Sequence, residues 1–154
     1  MVKFDYAYQY YNPVSDARAA IRQISISHKH AREIGVAIKG LLVEDAKDYL
    51  EKVIEKKRAI PFGRYKTQVG HRSDSGVMAG RYPEKAAKAI LQLLDSLENN
   101  AEFRGLDLDR LTIVNVTTHK GTIMKRFTPR AMGRTSPKND ALVHVEVVAR
   151  DVSE

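Results

Sequence analysis

The sequence predicts an α+β protein in which three helices pack on a small antiparallel sheet, with a long extended basic β-hairpin reaching away from it. Three observations carry that expectation. Apolar residues recur at helical spacing in three stretches before Gly105, and the apolar period switches to two afterwards. Two β-branched runs near the C-terminus are then separated by a basic connection, residues 117–141, whose stretch 125–140 offers little to bury except Phe127 and Met132.

Each element has its own signature. Residues 20–26, AIRQISI, place Ile24 and Ile26 on one face of a short strand. Ser27 reads as an N-cap, and Ala31, Ile34 and Ile38 mark a first helix from His28 to Lys39 that Gly40 ends. Ala46, Leu50, Val53 and Ile54 form the stripe of a second helix. Its early Glu44, Asp45 and Asp48 and late Lys56, Lys57 and Arg58 match the helix dipole, and Pro61 and Gly63 close it. Residues 63–82, with Gly63, Gly70, Gly76 and Gly80, lack periodicity and are expected as a long loop, a feature that in small domains tends to be functional. Pro83 stands at a first helical position, and Ala86, Ile90, Leu93, Leu94, Leu97 and Ala101 mark a third helix ending near Gly105. The runs 111–116 and 142–149 are strands, the second alternating through Val143, Val145 and Val147. If they extend toward each other as a ladder, the connection projects roughly 40 Å at about 3.3 Å per residue. Gly133 can supply the positive φ of a tight reversal.

At 154 residues the chain is expected to be one domain, 1–154. It has 26 Lys plus Arg against 19 Asp plus Glu, a net charge of +7, which points toward a polyanionic partner. Cysteine is absent, so disulfides and thiolate metal sites are excluded and a reducing compartment suits the chain. The start, MVKFDYAYQYYNP, has no apolar h-region, and Lys39 breaks the longest apolar run, so neither a signal peptide nor a membrane span is expected.

Charge is unevenly placed. Lys120, Lys125, Arg126, Arg130, Arg134 and Lys138 follow one another with no acid between them, whereas acids gather in the second helix and from Glu98 to Asp109. A polar two-stranded ribbon is marginal in water, so the hairpin is either disordered or ordered by contacts from outside, most simply phosphates. A solvated mobile loop is the ordinary fate of a single basic cluster, and the flanking strands argue against it here. The run 63–82 matches neither a Walker pattern nor GxGxxG opening a helix. His28 and His30 diverge on a helix, so capping or phosphate contact suits them better than a metal, and His71, His119 and His144 are scattered. No nucleophile–base pair is visible, and no metal or cofactor is expected. A small nucleic-acid-processing enzyme, gripping its substrate with the hairpin, is the alternative; it requires a convergent acid cluster. Tyr6, Tyr8, Tyr10 and Tyr11 could stack on unpaired bases or fasten a tail to the core, and the second is preferred.

The stretches ISHKHAREIGVAIKG, GRYPEKAAKAILQLLDSLENNAEFRGLD and MKRFTPRAMGRTSPKNDALVHVEVV resemble the ribosomal protein L twenty-two family of the archaeal and eukaryotic type, across nearly the whole chain. The order of the first helix motif, Asn100 to Glu102, then "PRA-GR" makes the resemblance specific. It implies a non-enzymatic, cytoplasmic constituent of the large ribosomal subunit. Its partners would be large-subunit rRNA, neighbouring ribosomal proteins and the nascent polypeptide, with no membrane and no homo-oligomer. The hairpin would thread between rRNA segments, and its tip, Arg130, Ala131, Met132, Gly133 and Arg134, would line the polypeptide exit tunnel. Carried over by position, Ser27, His28, Lys29 and Arg32 match the start of the helix that approaches rRNA, and Lys125, Arg126, Arg130 and Arg134 match the hairpin's basic positions. The loop bearing Arg64, Lys66, His71, Arg72 and Arg81 resembles an insertion of this branch of the family. Arg22, Lys120 and Lys138 complete the expected rRNA-binding set. Met132 departs from the family where Lys or another polar residue is common, and Asp140 interrupts a return strand that is often more basic.

Overall fold

The computed structural model describes residues 5–73 and 76–152, so Asp74 and Ser75 of the long loop lie outside the described residues. Strand β1 (Asp16–Ile24), helices α1 (His28–Ile38) and α2 (Val43–Ile54), strands β2 (Ile60–Pro61) and β3 (Gly80–Arg81), and helix α3 (Glu84–Phe103) precede β4 (Leu111–Met124), β5 (Phe127–Pro129), β6 (Thr135–Pro137) and β7 (Asp140–Asp151). The three helices pack on a three-stranded antiparallel sheet of order β1-β7-β4, as expected for the fold class.

Strand β7 is the centre of that sheet. Val143, Val145, Val147 and Ala149 point to the helix side and are fully buried with Ile34, Ile38, Ile90, Leu94, Leu97, Leu111 and Ile113. β1 begins earlier than the expected 20–26, because Ala17 and Ala19 are buried at strand spacing although alanine is a poor strand signal. It also stops at Ile24, short of Ile26, at a bulge where Gln23 takes φ 54°.

The helix ends follow local chemistry. Ser27 caps α1 by accepting from the His30 N–H at 3.5 Å, and Gly40 beyond its end takes φ 85°. α2 closes at Ile54, earlier than expected, and Lys56, Lys57 and Arg58 lie past it. Lys56 occupies the left-handed position with φ 63°, while the Lys56 N–H reaches the Val53 carbonyl at 3.1 Å and the Lys57 N–H the Lys52 carbonyl at 2.8 Å. This is a Schellman closure built on lysine, so no glycine announced it. The same closure at the end of α3 uses Gly105, φ 73°, with the Leu106 N–H on the Ala101 carbonyl at 3.1 Å. Pro83 stands one residue outside α3, at its N-cap.

Two contacts fix the layers. On α1, Gly35 lies so close to β4 that an added Cβ would meet Val116 Cγ1 at 2.9 Å. On the far face of the sheet, buried Asp16 accepts from Arg150 Nε at 2.7 Å and Nη2 at 2.9 Å, and also from the Asn12 N–H and the Ser15 hydroxyl. The N-terminal segment covers that face. Tyr6 and Tyr11 hold the Arg18 guanidinium at 4.5 and 4.4 Å from their ring centres, and the Ala7 N–H donates to Glu146 at 2.9 Å, so these two tyrosines do fasten the segment. Asn100 donates across to the Arg18 carbonyl at 3.0 Å, tying α3 to β1.

Replacing Gly35 with Val should cost about 1–3 kcal/mol by overpacking against Val116, read as a lower urea midpoint, whereas Gly70→Ala, in open space, should leave it unchanged. Burial raises the Asp16 pKa, but the hydrogen bonds from Arg150, Asn12 and Ser15 outweigh it and hold the carboxyl below its ordinary value. A carboxyl depressed on folding contributes stability above its unfolded pKa and loses it as pH falls through the folded one. The stability lost between pH 5 and pH 2 should therefore shrink in Asp16→Asn, measured by urea denaturation across that range.

Candidate nucleic-acid interface

The basic residues singled out from the sequence, Arg22 apart, fall on two regions, the hairpin and the face where α1 meets the loop that runs from α2 to α3. Along the hairpin, β4 and β7 stay paired from Leu111↔Asp151 to Met124↔Asp140, much longer than the expected runs. The Lys138 N–H donates to the Arg126 carbonyl at 2.6 Å, and β5 pairs β6 from Phe127↔Pro137 to Pro129↔Thr135. At the tip the Arg130 N–H reaches the Arg134 carbonyl at 2.8 Å, and both Met132 and Gly133 have positive φ, 59° and 65°. Gly133 was legible as the reversal; Met132 was not, since a non-glycine residue in this conformation costs about 1–2 kcal/mol. Every residue from Thr122 to Asn139 except Ser136 is exposed, with Phe127 at 66% and Met132 at 91%.

Among the described residues, no carboxylate lies within ion-pair distance of Lys120, Lys125, Arg126, Arg130, Arg134 or Lys138. Several acids are engaged elsewhere. Lys47 of α2 bridges Asp95 and Glu98 of α3 at 2.5 and 2.6 Å, and Lys52, Lys56, Lys57 and Arg110 find carboxylates on the same side or beyond it. The charge segregation read from the sequence is thus present in three dimensions.

The second region is built on a residue that sequence reasoning passed over. Glu33 is 1% exposed, and its carboxylate accepts from the consecutive N–H groups of Gly63, Arg64 and Tyr65 at 3.0, 3.1 and 3.1 Å, and from Arg32 Nη1 at 3.0 Å. Burial raises its pKa, but these donors together hold it below the ordinary carboxylate value. At 100° per residue Glu33 lies nearly opposite Ala31, so the apolar stripe places it in solvent; the returning loop buries it. Arg64, Tyr65 and Lys66 are thereby fixed beside α1. Lys29 Nζ and the Arg64 guanidinium sit 5.6 and 5.8 Å from the Tyr65 ring centre, and His28 meets that ring edge-on at 6.3 Å. Tyr65 is the second residue missed, and no sequence pattern marked it.

Other expected site residues have mixed placements. His30 packs edge-on against Phe62 at 5.6 Å, and burial together with the nearby Arg81 lowers its pKa, so it is a packing residue rather than a cap. Arg72 is spent inside the loop, its Nε donating to the Gly80 carbonyl at 3.4 Å and its guanidinium 5.4 Å from the Tyr82 ring. Arg32 spends part of its guanidinium on Glu33. Arg22 is exposed on β1, on the opposite face of the sheet, in a cleft with Asp5, His119, His144 and Glu146. Among the described residues no group of three His, Asp or Glu is placed to hold a metal, and no helix is long and apolar enough to cross a membrane.

Fold and charge together define an α+β protein with ion pairs between its helices and a basic ribbon whose cations have no carboxylate within ion-pair distance among the described residues, a charge distribution that suits a polyanionic partner. Comparison with known families makes this specific: the model of the family described as ribosomal protein L22p/L17e matches residues 19–150, and the chain belongs to that family. It is 61% identical over 98% of its length to the large ribosomal subunit protein uL22 of Cenarchaeum symbiosum (strain A), of which 99% is covered. It is 57% identical over 99% of its length to the protein of that name in Nitrosopumilus maritimus, covered completely, and 48% identical over 91% of its length to that of Thermofilum pendens, 92% of which is covered.

Exchanging Glu33 for Gln puts a donor where three N–H groups converge. It should cost about 1–3 kcal/mol and make the amides of Gly63, Arg64 and Tyr65 exchange faster with solvent while those of β7 keep their relative protection.

Proposed function

We propose that this chain is a structural, non-enzymatic constituent of the large ribosomal subunit in the cytoplasm, folded as one domain with residues 117–141 projecting from it. It binds the large-subunit rRNA, aids subunit assembly, and lines the polypeptide exit tunnel with its hairpin tip. The observation that carries this reading is the unpaired cationic hairpin on a chain of this family: six exposed Lys and Arg side chains on a ribbon with no internal apolar support. Phosphates fit those cations by charge and, for the arginines, by fork geometry. Neutralising phosphates releases their counterions and lets rRNA segments distant in sequence pack around one rigid ribbon.

The roles divide by position. Lys120, Lys125, Arg126 and Lys138 along the arms meet phosphates. Arg130, Ala131, Met132, Gly133 and Arg134 at the tip face the tunnel and the nascent polypeptide. Arg22, His28, Lys29, Arg32, Arg64, Lys66, Arg72 and Arg81 extend the rRNA contact over the body, the 63–82 loop included. Neighbouring ribosomal proteins meet the remaining surface, and the chain enters the subunit as a single copy.

Replacing Arg126, Arg130 and Arg134 together with Ala should weaken binding to large-subunit rRNA and flatten the logarithmic salt dependence by about 0.7–0.9 for each phosphate that is no longer neutralised. Because these side chains are exposed and make no hydrogen bond or ion pair with the described residues, the melting temperature of the free chain should hardly move. A large fall in that temperature would sink the proposal. The amides of 122–139, beyond the three-stranded sheet, should exchange quickly in the free protein and slowly in purified large subunits; equal protection in both would mean that the ribbon is held by its own body.

A further inference from the structure

Two surface grooves meet at Tyr65, and neither has an acidic residue in its walls. The first, about 240 Å³, has Phe62, Tyr65 and Val69 for walls and Lys29, Arg64 and Arg81 around its rim. The second, about 400 Å³, passes His28 and Arg32 and ends at Lys120, the root of the hairpin. The carboxylate beneath them, Glu33, is hydrogen-bonded by three backbone N–H groups and ion-paired with Arg32, and among the described residues no carboxylate lies within ion-pair distance of Lys29, Arg64, Arg81 or Lys120. Clefts elsewhere on the sheet differ, with Asp5 and Glu146 in one and Asp140 in another.

Cations alone would suit any phosphate backbone. Among mostly polar walls the first groove adds the half-buried ring of Tyr65 with Val69 beside it, a surface that a phosphate cannot use and that a duplex, with its bases stacked inside, cannot reach. We propose that this groove is a site for one unpaired nucleotide of RNA: its base lies against Tyr65 and Val69, and Lys29, Arg64 and Arg81 meet the phosphates on either side. The second groove leads the same strand toward Lys120. Tyr65 has two tasks here, as a wall for the base and as the ring over which Lys29 and Arg64 are held before RNA arrives. His30, whose pKa is lowered by burial and by Arg81, borders the groove as a neutral ring at physiological pH and adds polar atoms that a base edge can use. The proposal rests on the rRNA-binding reading and goes beyond it, because it assigns recognition of a base, away from the hairpin.

The test uses the full chain carrying Arg126→Ala, Arg130→Ala and Arg134→Ala, so that the hairpin contributes little. Fluorescence anisotropy is measured with labelled octauridylate and with an RNA of equal length whose internal nucleotides are abasic. Octauridylate should bind about tenfold more tightly than the abasic strand, the scale of one base against an aromatic wall. Tyr65→Leu should abolish that preference and Tyr65→Phe should keep it, with folding of each checked by circular dichroism. If Tyr65→Leu does not fold, the exposed Lys29→Ala and Arg81→Ala decide: each should weaken binding of both strands and preserve their ratio. Equal affinity for the two strands, a preference that survives Tyr65→Leu, or indifference to both cation variants would overturn the site. Failure here with salt-dependent rRNA binding intact in the unaltered chain leaves the ribosomal reading standing. Loss of salt-dependent rRNA binding in the unaltered chain would remove both.

Discussion

One strand, β7, has to satisfy two environments along its length, and most of the molecule follows from that constraint. Its C-terminal part lies between β1 and β4 with Val143, Val145, Val147 and Ala149 sealed under the helices. Its first residues are the return arm of a ribbon in water. Because side chains alternate every residue, a slip of one position at the root would turn all of those valines toward the other face. The core therefore sets the register of a hairpin whose far end makes no core contact. The bulges near Gln23 and between Lys120 and Ile123 fall at this junction, and Gly121 is needed there, since an added Cβ would meet His144 Nε2 at 2.7 Å. The Gln23 N–H donating to His144 Nδ1 at 3.2 Å and Ser25 donating to Asp140 at 2.8 Å tie β1 and the residue after it to the base of the ribbon, where the sheet narrows from three strands to two.

The molecule presents cations in two physically different ways. On the hairpin nothing intramolecular opposes or positions them; their side chains are exposed and their carrier is a ribbon of the kind that is marginal alone. On the α1 face a buried carboxylate collects three consecutive backbone donors and draws a long loop against a helix, so that Arg64 and Lys66 are presented by a fixed backbone before any partner is met. An acid at the base of a basic surface looks counterproductive. It is compatible because the Arg32 guanidinium at 3.0 Å balances its charge and three N–H dipoles stabilise it, whereas the attraction between the remaining surface cations and a polyanion reaches across about 10 Å at moderate salt.

How much of this was legible in the sequence follows from which signals are local. The three helix stripes, the Ser27 cap, the Gly40 and Gly105 ends, the switch to period two and the acid-free run from Lys120 to Lys138 are all properties of neighbouring residues, and each is present in the fold. The failures are also of one kind. The left-handed closure at Lys56, the start of β1 in alanines, the Met132 conformation and the role of Glu33 are imposed by elements distant in sequence, which override propensity. The candidate interface was half readable for the same reason. Charge runs report the hairpin, while the convergence of Lys29, Arg64, Tyr65 and Arg81 exists only once the loop has returned to α1, and Arg72, identical in type to its neighbours, turns inward to hold that loop.

The hairpin's composition carries a further consequence. A two-stranded ribbon leaves N–H and C=O groups unpaired along both edges, which is the template on which other chains add as strands. Here Pro129 and Pro137 remove donors next to the tip, cations recur every few residues on both arms, and the Lys120–Ile123 irregularity interrupts the ladder below them. Each feature discourages a protein strand from docking on the edge, and the cations do so while attracting a phosphate backbone. Specificity for nucleic acid over protein along this ribbon is therefore written in the same residues that supply affinity, with no separate device required.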